Sequence, residues 1–177
     1  EFLESPTGPA YWPALGWVLL ALAAFVVQSG AEELLVRGYL VQVWYRRTGI
    51  VGAVIASTLF FTLMHGSNTG FGLLPLLVLV AVSIALVFWA LAEGGLWGVL
   101  SFHAVWNWAQ GSLFGIAVSG NAPPNSLFAV VETGEAHPLL TGGVYGLEGS
   151  LLTLGVLVLL SACTITAFAR VRSRQPA

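Results

Sequence analysis

Gly30-Ala-Glu-Glu-Leu-Leu-Val-Arg-Gly-Tyr-Leu40 places two adjacent carboxylates and an arginine inside a 177-residue chain that is 57% hydrophobic and only 8% charged. No turn signal separates Ala31 from Trp44, so the segment reads as helix. Glu33 and Arg37 then stand four residues apart on one face, acid before base, the favourable order for an ion pair. Glu32 is rotated about 100° away by the helical pitch and is free for another partner. At the centre of a bilayer an ionised side chain costs roughly 2.5–3.5 kcal/mol on insertion scales. Such a cluster therefore implies an interior cavity, with an ion pair at the membrane surface as the plainer alternative.

Around this stretch the composition excludes most function classes. So little charge cannot solvate the surface of a soluble domain of this size. The expectation is an all-α, polytopic transmembrane bundle, an integral multi-pass protein of a bacterial or archaeal cell membrane. All six basic residues are Arg and all eight acids are Glu. That is too few for a nucleic-acid surface, and no Gly-rich phosphate loop or dinucleotide fingerprint is present. Cys163 is the single cysteine, which excludes an intramolecular disulfide and any multi-cysteine metal site; it reads as an inert buried thiol. The chain begins Glu-Phe-Leu without a signal-peptide pattern, and reads as a processed or truncated piece.

One transmembrane domain, 1–177, is expected. Its first span runs from Tyr11 to Gln28, followed at once by a separate short Glu-rich helix that ends at Arg46-Arg47-Thr48-Gly49. Ile50 to Met64, Phe71 to Leu91, Leu96 to Gln110 and Leu151 to Ala169 are the further apolar helices. Residues 111–149 form a long Gly/Pro-rich loop, either a substrate-facing lid or a plain connector. If each helix crosses once, Arg46-Arg47 and Arg170-Val-Arg-Ser-Arg174 fall on one side, the cytoplasm. Glu32, His65 and the long loop then fall toward the other.

Two further polar clusters have helical spacing. Phe61 and His65 share one helix face, and His103 and Asn107 repeat the i, i+4 relation on another helix. A lone membrane histidine is usually a packing residue, but two histidines beside an unpaired glutamate suggest convergence on a site. The chemistry available is hydrolysis. A carboxylate can take a proton from water, an imidazole can orient that water, and an imidazole with an amide can donate to an oxyanion. Zinc held by Glu32, His65 and His103 stays open as the alternative, although the helical His-Glu-x-x-His signature is absent. Glu93 at a helix break and His137 before Pro138 read as solvated loop residues.

Glu32-Glu33-x-x-x-Arg37, Phe61-x-x-x-His65 and His103-x-x-x-Asn107, in this order, resemble the motifs of the CPBP family. These are the CAAX-processing and bacteriocin-processing (Abi) intramembrane proteases, related to the type II CAAX prenyl endopeptidases. Thr141-Gly-Gly-Val-Tyr-Gly-Leu-Glu-Gly-Ser150 is similar to a Gly-rich segment of many bacterial members. The resemblance covers roughly Gln28 to Ser150.

It implies a helical bundle with an intramembrane polar cavity and a peptide or protein substrate in the lipid bilayer, lipidated in some members. Glu32 resembles the catalytic glutamate that activates water, with His65 as its partner, and His103 and Asn107 resemble the oxyanion pair. Glu33 and Arg37 resemble a structural ion pair at the site. Family members usually have further helices before the first motif, so N-terminal helices are expected to be missing here. The family's prenyl endopeptidases work from the cytosolic face, opposite to the side that the arginines give.

The expected function is an intramembrane endopeptidase with a glutamate-activated water, no organic cofactor and no nucleic-acid partner. A non-catalytic protein of the same fold, acting in bacteriocin self-immunity or as a scaffold, is the alternative. A small transporter would need polar groups along a path rather than in one cluster.

Overall fold

The computed structural model describes residues 11–130 and 137–174, with the side chains of Tyr11 and Trp12 set aside. Helix α1 (Tyr11–Glu33) runs without interruption through a π-helical turn (Leu34–Leu40) into α2 (Val41–His65). The Glu-rich segment is therefore not a separate short helix, as its sequence suggests, but the continuation of the first span. Gln28-Ser29-Gly30 looks like a break, yet Ser29 and Gly30 are buried in mid-helix. A Cβ on Gly30 would meet Leu100 at 3.5 Å, so the small residue allows a close helix contact instead of ending the helix.

The real break is Gly49, whose backbone (φ 73°, ψ −168°) is open to glycine and strained for other residues. There the chain turns back, because Val41 before the break and Ala53 after it both pack on Val87. Helices α3 (Leu73–Glu93), α4 (Trp97–Trp108) with its π-helical extension (Ala109–Leu113), α5 (Pro138–Thr141) and α6 (Leu151–Ser173) follow, with two 3-10 turns (Gly143–Tyr145 and Leu147–Gly149) between the last two. No strand forms among the described residues, apart from one isolated bridge between Val118 and Asn121.

Packing fixes the helix directions. Val36 in the π turn and Val41 at the start of α2 lie level with Leu79 and Val87, so the continuous helix that α1 begins runs parallel to α3 up to Gly49, whereas Phe61 and Ala53 after it meet the same residues in reverse order. Leu157 packs on Val78, Ser161 Oγ donates to the Ala81 carbonyl at 3.0 Å and Phe168 meets Phe88, so α6 is parallel to α3. Helix α4 is antiparallel to α1, with His103 at Glu33 and Trp108 Nε1 on the Val18 carbonyl at 2.8 Å.

Three helical stretches, 13–65, 73–93 and 151–173, are long and apolar enough to cross a membrane. Half of the most apolar window of α3 is buried, against 17% and 22% in the other two. Helix α3 is thus the central post. The others turn Leu19, Val27, Leu59, Leu63, Leu152 and Leu159 outward, each more than half exposed. Apolar surface this continuous suits lipid and not water. Cys163 lies on the same outward face of α6; it is exposed, not the buried thiol expected.

Candidate active site

The π-helical turn begins directly after Glu33, and π turns recur where a helix is adapted to a site. Glu33 and Arg37 are fully buried and paired, Nη1 to Oε1, at 2.9 Å. The guanidinium carbon stands 4.5 Å from the centroid of the Phe61 ring, and Nη2 reaches Ser83 Oγ on α3 at 3.5 Å. The Phe61 ring also meets His65 at 4.7 Å and, edge-on, His103 at 6.1 Å. One aromatic ring therefore locates the cation and both imidazoles.

Glu33 has a second partner. Its Oε1 lies 2.8 Å from His103 Nδ1. Ionised opposite Arg37, the carboxylate accepts, so Nδ1 carries the proton of that bond. This turns His103 Nε2 toward Glu32, 3.8 Å from Oε2. Glu32 is mostly shielded and divides its oxygens. Oε1 accepts from the amide of Gln28, while Oε2 is buried and has no hydrogen-bond partner among the described residues. The Gln28 carbonyl in turn lies 3.5 Å from Asn107 Nδ2. His65 Nδ1 stands 2.8 Å from the Phe61 carbonyl one turn back, which leaves Nε2 free.

Two cavities meet here. The larger, about 640 Å³, is lined by Gln28, Glu32, His65 and Asn107, by Trp17 and Phe25 farther along α1, and by the 118–125 loop. The smaller, about 230 Å³, is apolar and runs between α3, α4 and α6. His65, His103 and Asn107 stand in its wall with Val82, Phe102 and Leu157. His65, Asn107 and Ser119 line both. Residues of the 118–125 portion of the long loop thus form part of the cavity wall.

The chain after α5 straps this wall down. Glu148 accepts from Trp106 Nε1 at 2.9 Å through one oxygen and from the Ser119 backbone N–H at 2.7 Å and Oγ at 2.6 Å through the other. Gly146, at φ +84°, is so close to the Ala117 carbonyl that a Cβ would sit 1.9 Å from its oxygen. Tyr145 beside it is buried; desolvation first, and then the charge of Glu148, pushes its phenol up to about 12.

Sequence reasoning missed Gln28, Ser83 and Glu148. Gln28 carries the same i, i+4 spacing to Glu32 that Glu33 has to Arg37, and that signal was available. Ser83 gives none in an apolar helix. The two residues read as solvated are exposed and have local tasks as well. Glu93 accepts from the Gly98 backbone N–H at 3.0 Å and caps α4, and His137 accepts from the Leu139 backbone N–H at 3.2 Å ahead of α5.

Among the described residues no three His, Cys or Glu side chains are grouped closely enough to hold a metal ion.

The model of the family described as type II CAAX prenyl endopeptidase Rce1-like matches residues 14–109, more than half of the chain. The chain belongs to this family. The match takes in Gln28, Glu32, Glu33, Arg37, Phe61, His65, His103 and Asn107, and stops before the strap that carries Glu148. Neither a curated protein nor a solved structure matches the chain. The Rce1-like family is a protease family, and its motifs here sit in a helical membrane protein.

Proposed function

We propose that the protein is an intramembrane endopeptidase that hydrolyses a peptide bond with a water activated by Glu32. The observation that carries this reading is the cavity wall shared by Glu32, His65 and Asn107, with His103 Nε2 3.8 Å from Glu32. The unpartnered Oε2 of Glu32 takes a proton as the water oxygen attacks the carbonyl carbon. Free Nε2 of His65 orients that water. The oxygen of the tetrahedral intermediate lies between Asn107 Nδ2 and His103 Nε2. His103 donates there while Nδ1–H stays on Glu33, so it carries both protons, with the Glu33 carboxylate and the oxyanion itself as its counter-charge. Collapse breaks the C–N bond, and the proton held by Glu32 passes to the leaving amine.

Base catalysis of this kind supplies roughly 10²–10⁴-fold, and each preorganised oxyanion donor roughly 10²–10³-fold. The substrate is a membrane-associated or lipidated polypeptide, because the cavity adjoins an apolar slot and the outer faces of the bundle are themselves apolar. No organic cofactor takes part.

The test is peptide cleavage by detergent-purified protein, read by mass spectrometry over a mixed library of lipidated and apolar peptides. Products that form with wild type and fall at least about 100-fold with Asn107→Ala support the reading, that being the low end for an oxyanion donor. Equal products from both would sink it. Exhaustive chelation is expected to leave the rate unchanged; loss of activity restored by added zinc would put a metal back at the site.

A further inference from the structure

We infer that Ser119 and Glu148 set the size of the side chain that the substrate can carry beside the cleaved bond. Ser119 is the specificity-determining edge, and Glu148 is the residue that positions it. The inference rests on the endopeptidase reading and concerns a segment that the family model does not reach. His65, Asn107 and Ser119 are common to the walls of both cavities, so they surround the neck where the larger opens into the smaller. Two of the three belong to the proposed catalytic set. Ser119 is the edge that the loop supplies. A polypeptide whose carbonyl reaches Asn107 and whose side chain enters the apolar slot has to pass it.

Ser119 is held in place against its own backbone preference. Its φ is 46°, and it is the one non-glycine residue at positive φ among the described residues. A β-carbon disfavours that conformation, which persists only where the surroundings over-determine it. Here they do. Glu148 Oε2 accepts from the Ser119 backbone N–H and from its Oγ, and the Gly120 N–H donates to the Tyr145 carbonyl at 3.0 Å. Val118 and Asn121 close the turn on itself, each N–H donating to the other's carbonyl at 2.9 Å. On its far side the turn abuts the chain after α2, where a Cβ on Gly120 would come 2.0 Å from the Thr69 carbonyl oxygen. The other oxygen of Glu148 takes Trp106 Nε1, and Trp106 precedes Asn107 on α4. One carboxylate thus ties the loop edge of the neck to the helix that carries the opposite edge. Only an acceptor-only group can serve all three donors, since an amide in its place would lose one oxygen. Charge-assisted bonds of this kind hold the neck at a fixed width, so an oversized side chain is rejected and not accommodated.

The experiment compares wild type, Ser119→Gly and Glu148→Gln on peptides that carry Ala, Leu or Phe at each of the two positions flanking the cleaved bond in turn. Relative kcat/KM is read by competition in detergent. Glycine is at ease at positive φ, so Ser119→Gly is expected to keep the thermal unfolding of wild type while it empties that edge of the neck. At one of the two positions wild type should favour Ala over Phe by at least about tenfold. Both variants should bring that ratio close to one, chiefly by cleaving the Phe peptide faster. A ratio unchanged in both folded variants overturns the inference. So does an equal fall for every peptide, which is what a merely structural strap would give, or a wild type indifferent to size. Binding of the same peptides to Glu32→Gln, alone and combined with each substitution, needs no turnover. Size-dependent binding there without cleavage by wild type counts against the endopeptidase reading and leaves the neck standing; binding blind to size, or none, removes the neck.

Discussion

Glu33 holds Arg37 and His103 at once, and the geometry of the proposed site hangs on that double contact. Both members of the ion pair are fully buried, so removing one leaves an uncompensated charge. Arg37→Ala should destabilise the protein by about 3–5 kcal/mol, read as the shift in thermal unfolding in detergent; an unchanged transition would contradict the buried pairing. Glu33→Gln keeps the shape but weakens the bond to His103 Nδ1. We expect a fall in kcat larger than any change in KM, even in the folded fraction. The Glu33–Arg37 pair was legible from sequence because four residues of helix bring two side chains together whatever surrounds them. The tie from Glu33 to His103 was not, since it joins residues seventy positions apart and depends on how α4 packs on α1. Phe61 belongs in the same group: its spacing to His65 could be read, but its stacking on Arg37 requires the folded bundle.

At the scale of elements, the helices were largely legible, because long apolar runs admit no other structure in lipid. The one misreading came from glycine. Gly30 looks like a boundary and is a helix contact, while Gly49, read from the sequence as the end of the Glu-rich helix, is the true reversal. Position in the packed bundle, not residue type, decides between the two. The strap after α5 shows a third use. Gly146 combines positive φ with backbone contact, so Gly146→Ala should cost about 1–3 kcal/mol of local strain and release the segment. Limited proteolysis would then cut within residues 114–150 faster than in wild type; equal rates would mean that the strap is not held there. Glu148→Gln should give a weaker version of the same effect, because it loses charge-assisted bonds to Ser119 and keeps the side-chain volume.

For the whole molecule, membership in a protease family and apolar helices long enough to cross a membrane support the proposed hydrolysis. Helix α3 supports the bundle, α1 and α4 supply the carboxylates, one imidazole and the amide, and α2 brings the second imidazole. The proposed base presents an oxygen that has no hydrogen-bond partner among the described residues, beside a cavity of about 640 Å³. That oxygen on Glu32 is the centre of the account. The most direct measurement is therefore the cleavage rate of one identified peptide by wild type and by Glu32→Gln, both purified in detergent and matched in thermal unfolding. The account predicts that Glu32→Gln remains folded and loses at least about 100-fold in rate, the low end for a general base. Cleavage at the wild-type rate by folded Glu32→Gln would contradict it.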